Sequence, residues 1–239
     1  MKPAAKNRLC GLLFVICLST LLPVLGLSHF HTKGEPREAI VAVSMLQDGN
    51  WILPRNNGGD IAYKPPMYHW LTALTSSVFN QGEVNEYTSR FPSALATIII
   101  ACTMFLFYAK RSSNYKAAFL SAILVLSAFE VHRAATAARV DMVLTVFIVL
   151  ALFQLYRWYE NGLKGFPLWA ILYMSAATLT KGPVGIVLPC LVAGVFLLLR
   201  KEPFLRVCGK LIGAALASCL LPALWYYVAY QQAGKEFLD

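Results

Sequence analysis

The chain has 239 residues, 58% of them hydrophobic and only 14% charged, with a formal net charge of +9 and a mean hydropathy of +0.58. A soluble domain of this size could not keep its surface wet with so few charges, so the chain is read as an integral membrane protein. The basic balance does not point to nucleic acid, because the cations are scattered among short loops between apolar runs.

Taken in chain order, apolar runs occur at about 9–28, 91–109, 117–131, 140–157, 167–180, 183–199 and 207–230, against the roughly 20 residues needed to cross about 30 Å of hydrocarbon. They predict an all-α, polytopic protein with about seven transmembrane helices, the third and fifth being the weakest. The first run follows Lys2, Lys6 and Arg8 but exceeds the apolar core of a signal peptide, and is read as an uncleaved anchor. With the N-terminus inside, the inner segments hold twelve Lys and Arg against Glu160 and Glu202, and the outer remainder nine against ten. That asymmetry supports a cytoplasmic N-terminus.

The interval 29–90 is then the first outer loop, and it carries helices of its own. "GEPREAIVAVSMLQDGNW" opens with acidic residues and Pro36, places Ile40, Val43 and Leu46 on one side, and stops at Asp48-Gly49-Asn50. "NNGGD" at 56–60 is a turn, and "PMYHWLTALTSSVF" is a second short amphipathic helix with Tyr68 and Trp70 suited to headgroup depth. Both helices are expected to lie in the membrane interface. Between them Lys64 precedes Pro65-Pro66, a step that cannot continue a helix and fixes the lysine at a boundary. A lipid phosphate is one partner for it; snorkelling to ordinary phospholipid is the other, and spacing alone favours the second.

Three further positions share the outer side. Glu35 opens the first interfacial helix beside Arg37 and Glu38, where an acidic residue also complements the helix dipole. Asp141 begins the fourth span two residues after Arg139, at a depth where a carboxylate is paired or used. Lys181 lies in the outer turn "LTKGPVG", as a second phosphate ligand or as a plain turn lysine. Together these residues suit transfer chemistry on a lipid phosphate, with cations neutralising a departing phosphate and a carboxylate accepting a hydroxyl proton. The six cysteines show no CxxC spacing and read as small buried hydrophobes. Glu35, Asp60, Asp141, His69 and His132 would admit a divalent metal on the outer side, but no spacing among them marks a ligand set.

The order "GEPREAIVAVSMLQDGNWILPRNNGGDIAYKPPMYHWL", then "ARVDM", then "LTKGPVGIVLP" resembles the N-terminal half of the lipid A aminoarabinose transferase and protein O-mannosyltransferase-like membrane glycosyltransferases, over about 33–190. The resemblance implies the GT-C fold, a sugar donor on a polyprenyl phosphate carrier, membrane lipids as surroundings, no nucleotide sugar, and an extracytoplasmic active site in the bacterial inner membrane. It carries the acidic position of the first outer loop onto Glu35, followed by Arg37, the phosphate-holding lysine of "KPP" onto Lys64, and the acid of "R-x-D-M" onto Asp141. The family's usual Asp-Glu pair and following tyrosine are altered here, Gly34 standing for the first and Glu38 for the tyrosine. It also implies a chain about twice as long, so that residues 1–239 are expected to be an N-terminal region whose C-terminal remainder is missing.

The expected activity is transfer of a sugar from polyprenyl phosphate to a lipid, glycan or protein acceptor, with Glu35 or Asp141 as catalytic carboxylates and Arg37, Lys64 and Lys181 binding substrate. The rival from another class is a transporter or flippase for lipid-linked sugars. Inverted repeats and midplane charges would mark it, whereas here the charges gather at one face and no repeat is visible. A non-catalytic membrane scaffold is the remaining reading.

Overall fold

The computed structural model describes residues 3–57, 59–62, 64–112 and 114–237. Its elements are α1 (Pro3–Leu21), α2 (Gly34–Asp48), α3 (Met67–Phe79), α4 (Glu86–Ser112), α5 (Tyr115–Ser127), α6 (Phe129–Ala135), α7 (Val140–Glu160), α8 (Leu168–Lys181), α9 (Val184–Leu199), α10 (Phe204–Ser218) and α11 (Leu220–Ala233), with short 3-10 turns at Leu22–Val24 and Gly234–Phe237. Among the described residues there is no strand; Arg55 and Ile61 form one isolated antiparallel bridge.

Each of the seven apolar runs of the sequence falls on helix, but they do not all make straight spans. α1 with its 3-10 turn, α4, α7 and the continuous pair α10–α11 are long and apolar enough to cross a membrane alone. α5 and α6 meet at 69° and make a broken span or a re-entrant hairpin. α8 has 14 residues and α9 has 16. At 1.5 Å per residue such helices reach roughly 21–24 Å, short of the hydrocarbon thickness. Leucine, valine and phenylalanine stay exposed along the flanks of α1, α9, α10 and α11, as lipid-facing or partner-facing surfaces require.

Two contacts fix helix direction. The Arg90 and Glu86 end of α4 lies by the start of α7, where Ser93 donates to the Arg139 carbonyl. At the other ends Arg111 pairs with Glu160 and stacks 3.6 Å over the Phe107 ring. α4 and α7 are therefore parallel, and α8 returns antiparallel, bringing Lys181 to Asp141. The bundle thus has two polar ends. One holds Arg111, Glu160, Arg200 and Arg206; the other holds α2, α3 and every candidate site residue.

Both short helices of the first loop form where expected. α2 tolerates Pro36 in its first turn and stops at Gly49, whose φ of 65° is the left-handed cap that glycine takes without strain. Its buried stripe, however, is Glu35, Glu38, Ala42 and Met45 at i, i+3, i+7 and i+10, while Ile40, Val43 and Leu46 are only half-buried. The inward face of α2 therefore carries two carboxylates. α3 packs on α2, α4 and α8. The α3–α4 turn is closed reciprocally, the Thr88 N–H donating to Asn85 Oδ1 at 2.9 Å and the Asn85 N–H to Thr88 Oγ1 at 3.0 Å.

Candidate functional site

The loop between α2 and α3 is anchored before it reaches Lys64. Asn50 Oδ1 accepts from the Ile52 and Leu53 amides, turning the chain after Gly49. The indoles of Trp70 and Trp225 donate to the Trp51 and Ile52 carbonyls, tying the loop to α3 and α11. The "NNGGD" turn closes with the Asn56 N–H on the Asp60 carbonyl at 2.8 Å; Gly58 lies outside the described residues. Arg55 then pairs with Glu236 beyond α11. What arrives at Lys64 is a tethered segment.

Behind that segment lies an open cavity of about 280 Å³, lined by Arg37, Glu38, Val41, Asn56, Ala62, Lys64 and His69. Glu38 is 5% exposed and points into it from the inward face of α2. Its Oε1 meets Lys64 Nζ, and its Oε2 lies 2.9 Å from His69 Nε2. His69 is 1% exposed, and its Nδ1 is buried without a hydrogen-bond partner. Burial alone would raise the Glu38 carboxyl, but the hydrogen bond and electrostatic attraction of His69, and then those of Lys64, hold it below its usual range.

Glu35 sits one turn earlier on the same stripe but does not line the cavity. It is 1% exposed, and its Oε1 accepts from Arg90 Nε at 3.0 Å and from the Ala138 N–H at 3.0 Å. Its Oε2 accepts from the His31 N–H at 2.7 Å. Burial would raise this carboxyl too, yet the Arg90 hydrogen bond, the two backbone N–H groups and the guanidinium charge together bring it below the ordinary value. Arg90, also 1% exposed, gives three of its remaining N–H donors to the Leu25, Ser28 and His29 carbonyls. The pair ties together the end of α1, the start of α2, α4 and the turn before α7. Sequence reasoning expects Glu35 to face substrate; its oxygens instead face inward to donors supplied by three segments, the loop before α2, α4 and the turn before α7.

Asp141 and Lys181 meet each other, Nζ to Oδ1 at 2.8 Å, with Arg139 Nε 3.7 Å from Oδ2. Both side chains of the 2.8 Å pair are nearly half exposed, and neither lines the cavity. They lie beside the same helix start, however. Tyr68 shares a buried cluster with Val140 and Met142, the neighbours of Asp141. Met67 shares another with Leu179, two residues before Lys181. The start of α3 therefore packs on the residues beside Asp141 and Lys181 through Tyr68 and Met67, with the cavity residue His69 next to Tyr68 and Lys64 three residues before Met67. The Lys181 turn is itself set by close packing, since a Cβ on Gly185 would come within 2.3 Å of the Thr178 nitrogen.

The structure thus gathers Arg37 and Lys64 around a carboxylate, pairs Asp141 with Lys181 nearby, and turns Glu35 away. Glu38 and Arg90 are what the sequence reading did not single out as site residues, and His69 enters it only among side chains that would admit a metal. The i, i+3 placement of Glu35 and Glu38 on the stripe of Ala42 and Met45 is the signal that would have found the first. Among the described residues no three His, Cys, Asp or Glu side chains cluster closely enough to hold a metal ion.

A profile of the dolichyl-phosphate-mannose-protein mannosyltransferase family matches residues 63–227. An uncharacterised protein of Aquifex aeolicus is 33% identical over 234 residues, covering 93% of this chain and 45% of that protein. An undecaprenyl phosphate-alpha-4-amino-4-deoxy-L-arabinose arabinosyl transferase of Shewanella sediminis is 32% identical over 204 residues, covering 80% of this chain and 34% of its own. The crystal structure of ArnT from Cupriavidus metallidurans bound to undecaprenyl phosphate superposes with a TM-score of 0.81 at 23% identity, over 95% of this chain and 42% of that one. The chain therefore spans between a third and a half of the length of these relatives.

Proposed function

Because the chain belongs to the dolichyl-phosphate-mannose-protein mannosyltransferase family, with the polytopic all-helical fold of ArnT, we propose that it is the N-terminal region of a glycosyltransferase that takes its sugar from a polyprenyl phosphate. The observation that carries this reading is the cavity at the α2–α3 pole, where Lys64 and Arg37 stand on one wall-to-wall opening with a buried carboxylate. Two cations there suit a lipid phosphate, and their charge gains value as the phosphate departs and its negative charge grows. The names of the relatives give the carrier a class: undecaprenyl phosphate stands in that of the Shewanella enzyme and in the bound state of the Cupriavidus structure.

Lys64, with Arg37 beside it, is assigned to the donor phosphate. Lys181 is a second cation on the flank, with Asp141 as its counter-anion and as the carboxylate most open to an incoming acceptor. Glu35 is assigned to holding the pole together through Arg90. The acceptor is a lipid, glycan or protein. The charge asymmetry of the sequence, with twelve Lys and Arg on the segments read as inner, supports a cytoplasmic N-terminus and a cavity on the periplasmic face of the inner membrane.

The test is a transfer assay on membranes containing the full-length protein and radiolabelled polyprenyl-phosphate sugars. Label appearing covalently in a lipid, glycan or protein fraction is the expected result. Movement of the intact lipid-linked sugar across vesicles without covalent transfer would overturn the reading in favour of a transporter.

A further inference from the structure

Glu38 has two oxygens with partners of unlike permanence. Oε2 is matched by His69, and both side chains are buried between two packed helices. Oε1 faces the cavity and meets Lys64, which comes from the loop and whose side chain is 45% exposed. An ammonium has three donors, and a lysine half in solvent can turn them from one anion to another at little cost. A phosphate entering this cavity offers several acceptor oxygens to that lysine and to Arg37, which lines the same space. The carboxylate behind it cannot follow, because His69 holds it in place.

We propose that Glu38 is the built-in counter-anion of Lys64, that the donor phosphate takes its place, and that the oxygen so released accepts the proton of an acceptor hydroxyl. This rests on the glycosyltransferase reading above and adds to it a catalytic residue and an acceptor class. In the step, the acceptor O–H proton passes to Glu38 Oε1 while the acceptor oxygen bonds to the anomeric carbon of the sugar. The bond from that carbon to the phosphate oxygen breaks, and the electron pair leaves with the polyprenyl phosphate. Glu38 goes from anion to neutral acid, and the phosphate gains one negative charge, held by Lys64. The exchange thus strips Glu38 of its ion pair only when a donor is present, so the base is exposed at the moment it is used.

The surroundings of Glu38 fit this role. The groups about it are Lys64 from the loop, Arg37 and Glu35 from its own helix, and His69 and Tyr68 from α3. Glu35 is turned to Arg90, and the Tyr68 hydroxyl donates to the Ser89 carbonyl, so neither competes for Oε1. His69 Nε2 donates to Glu38 Oε2, and its Nδ1 is buried without a partner. His69 thereby orients Glu38, and the acceptor proton arrives on the oxygen that faces the open cavity. An acceptor that is already an ionised phosphate would need no such base, so a hydroxyl of a glycan or protein is the acceptor this arrangement serves.

The experiment measures binding of radiolabelled undecaprenyl phosphate to the full-length protein in nanodiscs, for wild type, Lys64→Ala, Glu38→Gln and the double variant. Lys64→Ala should bind about tenfold more weakly, the loss of one charge-assisted contact. Glu38→Gln should bind about fivefold more tightly, because a competing anion is gone while the amide oxygen still accepts from His69. The double variant should bind no better than Lys64→Ala, since the gain passes through the lysine. In transfer, Glu38→Gln should lower kcat about 100-fold with little change in donor KM, and Glu38→Asp, which keeps the charge, should restore part of it and serves if the glutamine variant does not fold. Unchanged or weaker binding by Glu38→Gln, or its wild-type turnover, overturns the exchange while leaving the glycosyltransferase standing. Unchanged binding by Lys64→Ala overturns the phosphate assignment and the exchange together.

Discussion

Glu35 and Arg90 form an ion pair 3.0 Å long in which both side chains are about 1% exposed and backbone groups of residues 25–31 and of Ala138 match most of the remaining polar atoms. A buried pair of this kind adds little over an apolar pair of the same shape, but removing one partner strands the other. Arg90→Ala and Glu35→Ala should each cost about 3–5 kcal/mol, seen as loss of the monodisperse folded species on heating in detergent. A folded, thermally unaltered Glu35→Ala protein with lost turnover would instead return Glu35 to the chemistry.

The acid side of the stability profile follows from the same residues. Glu35 and Glu38 both lie below the ordinary carboxyl value of 4.5 in the folded protein. Near and below that value the unfolded chain binds more protons than the folded one, so acid drives unfolding. Their contribution is complete above about pH 4.5 and is lost as pH falls below it toward their folded values. Thermal unfolding followed from pH 7 to pH 3 should be flat down to about pH 5 and then fall, with a shallower fall in Glu35→Gln.

Gly185 is the position in "LTKGPVG" whose smallness is forced. An added Cβ would meet the Thr178 nitrogen at 2.3 Å and the Ala177 carbonyl carbon at 2.4 Å, so α8 and α9 must separate to admit it. Gly185→Ala should cost about 1–3 kcal/mol by overpacking and shift Lys181 off Asp141. Comparison of thermal stability with the neighbouring Val184→Ala, whose side chain is exposed, checks this directly.

Asp141 and Lys181 are nearly half exposed, so their ion pair contributes little to folding. Asp141→Asn and Lys181→Ala should leave thermal stability within about 0.5 kcal/mol of wild type while lowering transfer. Loss of folded protein in either variant would mark the pair as structural.

Much of the architecture is legible in the sequence, because apolar runs and charge asymmetry respond to the bilayer. α2 ends and α3 begins where glycine and proline dictate, at Gly49 and after Pro65-Pro66. The span count is less so: α9 has the composition of a crossing helix but lacks the length, and α8, already among the weakest runs in the sequence, is shorter still. In the site, Lys64 is marked by its prolines. Glu35 and Glu38 could not be told apart, because their fates depend on Arg90, 55 residues later, and His69, 31 residues later. The stripe chosen for α2 from Ile40, Val43 and Leu46 followed bulk, whereas the buried face follows the two carboxylates and their partners.

The central claim is that Lys64 holds a donor phosphate during sugar transfer. The measurement that bears on it most directly is the initial rate of transfer from a polyprenyl-phosphate sugar by full-length wild type and Lys64→Ala, matched for membrane insertion. Wild type should transfer the sugar, and the variant should do so at a rate at least about 100-fold lower. Wild-type turnover by a correctly inserted Lys64→Ala protein would contradict it.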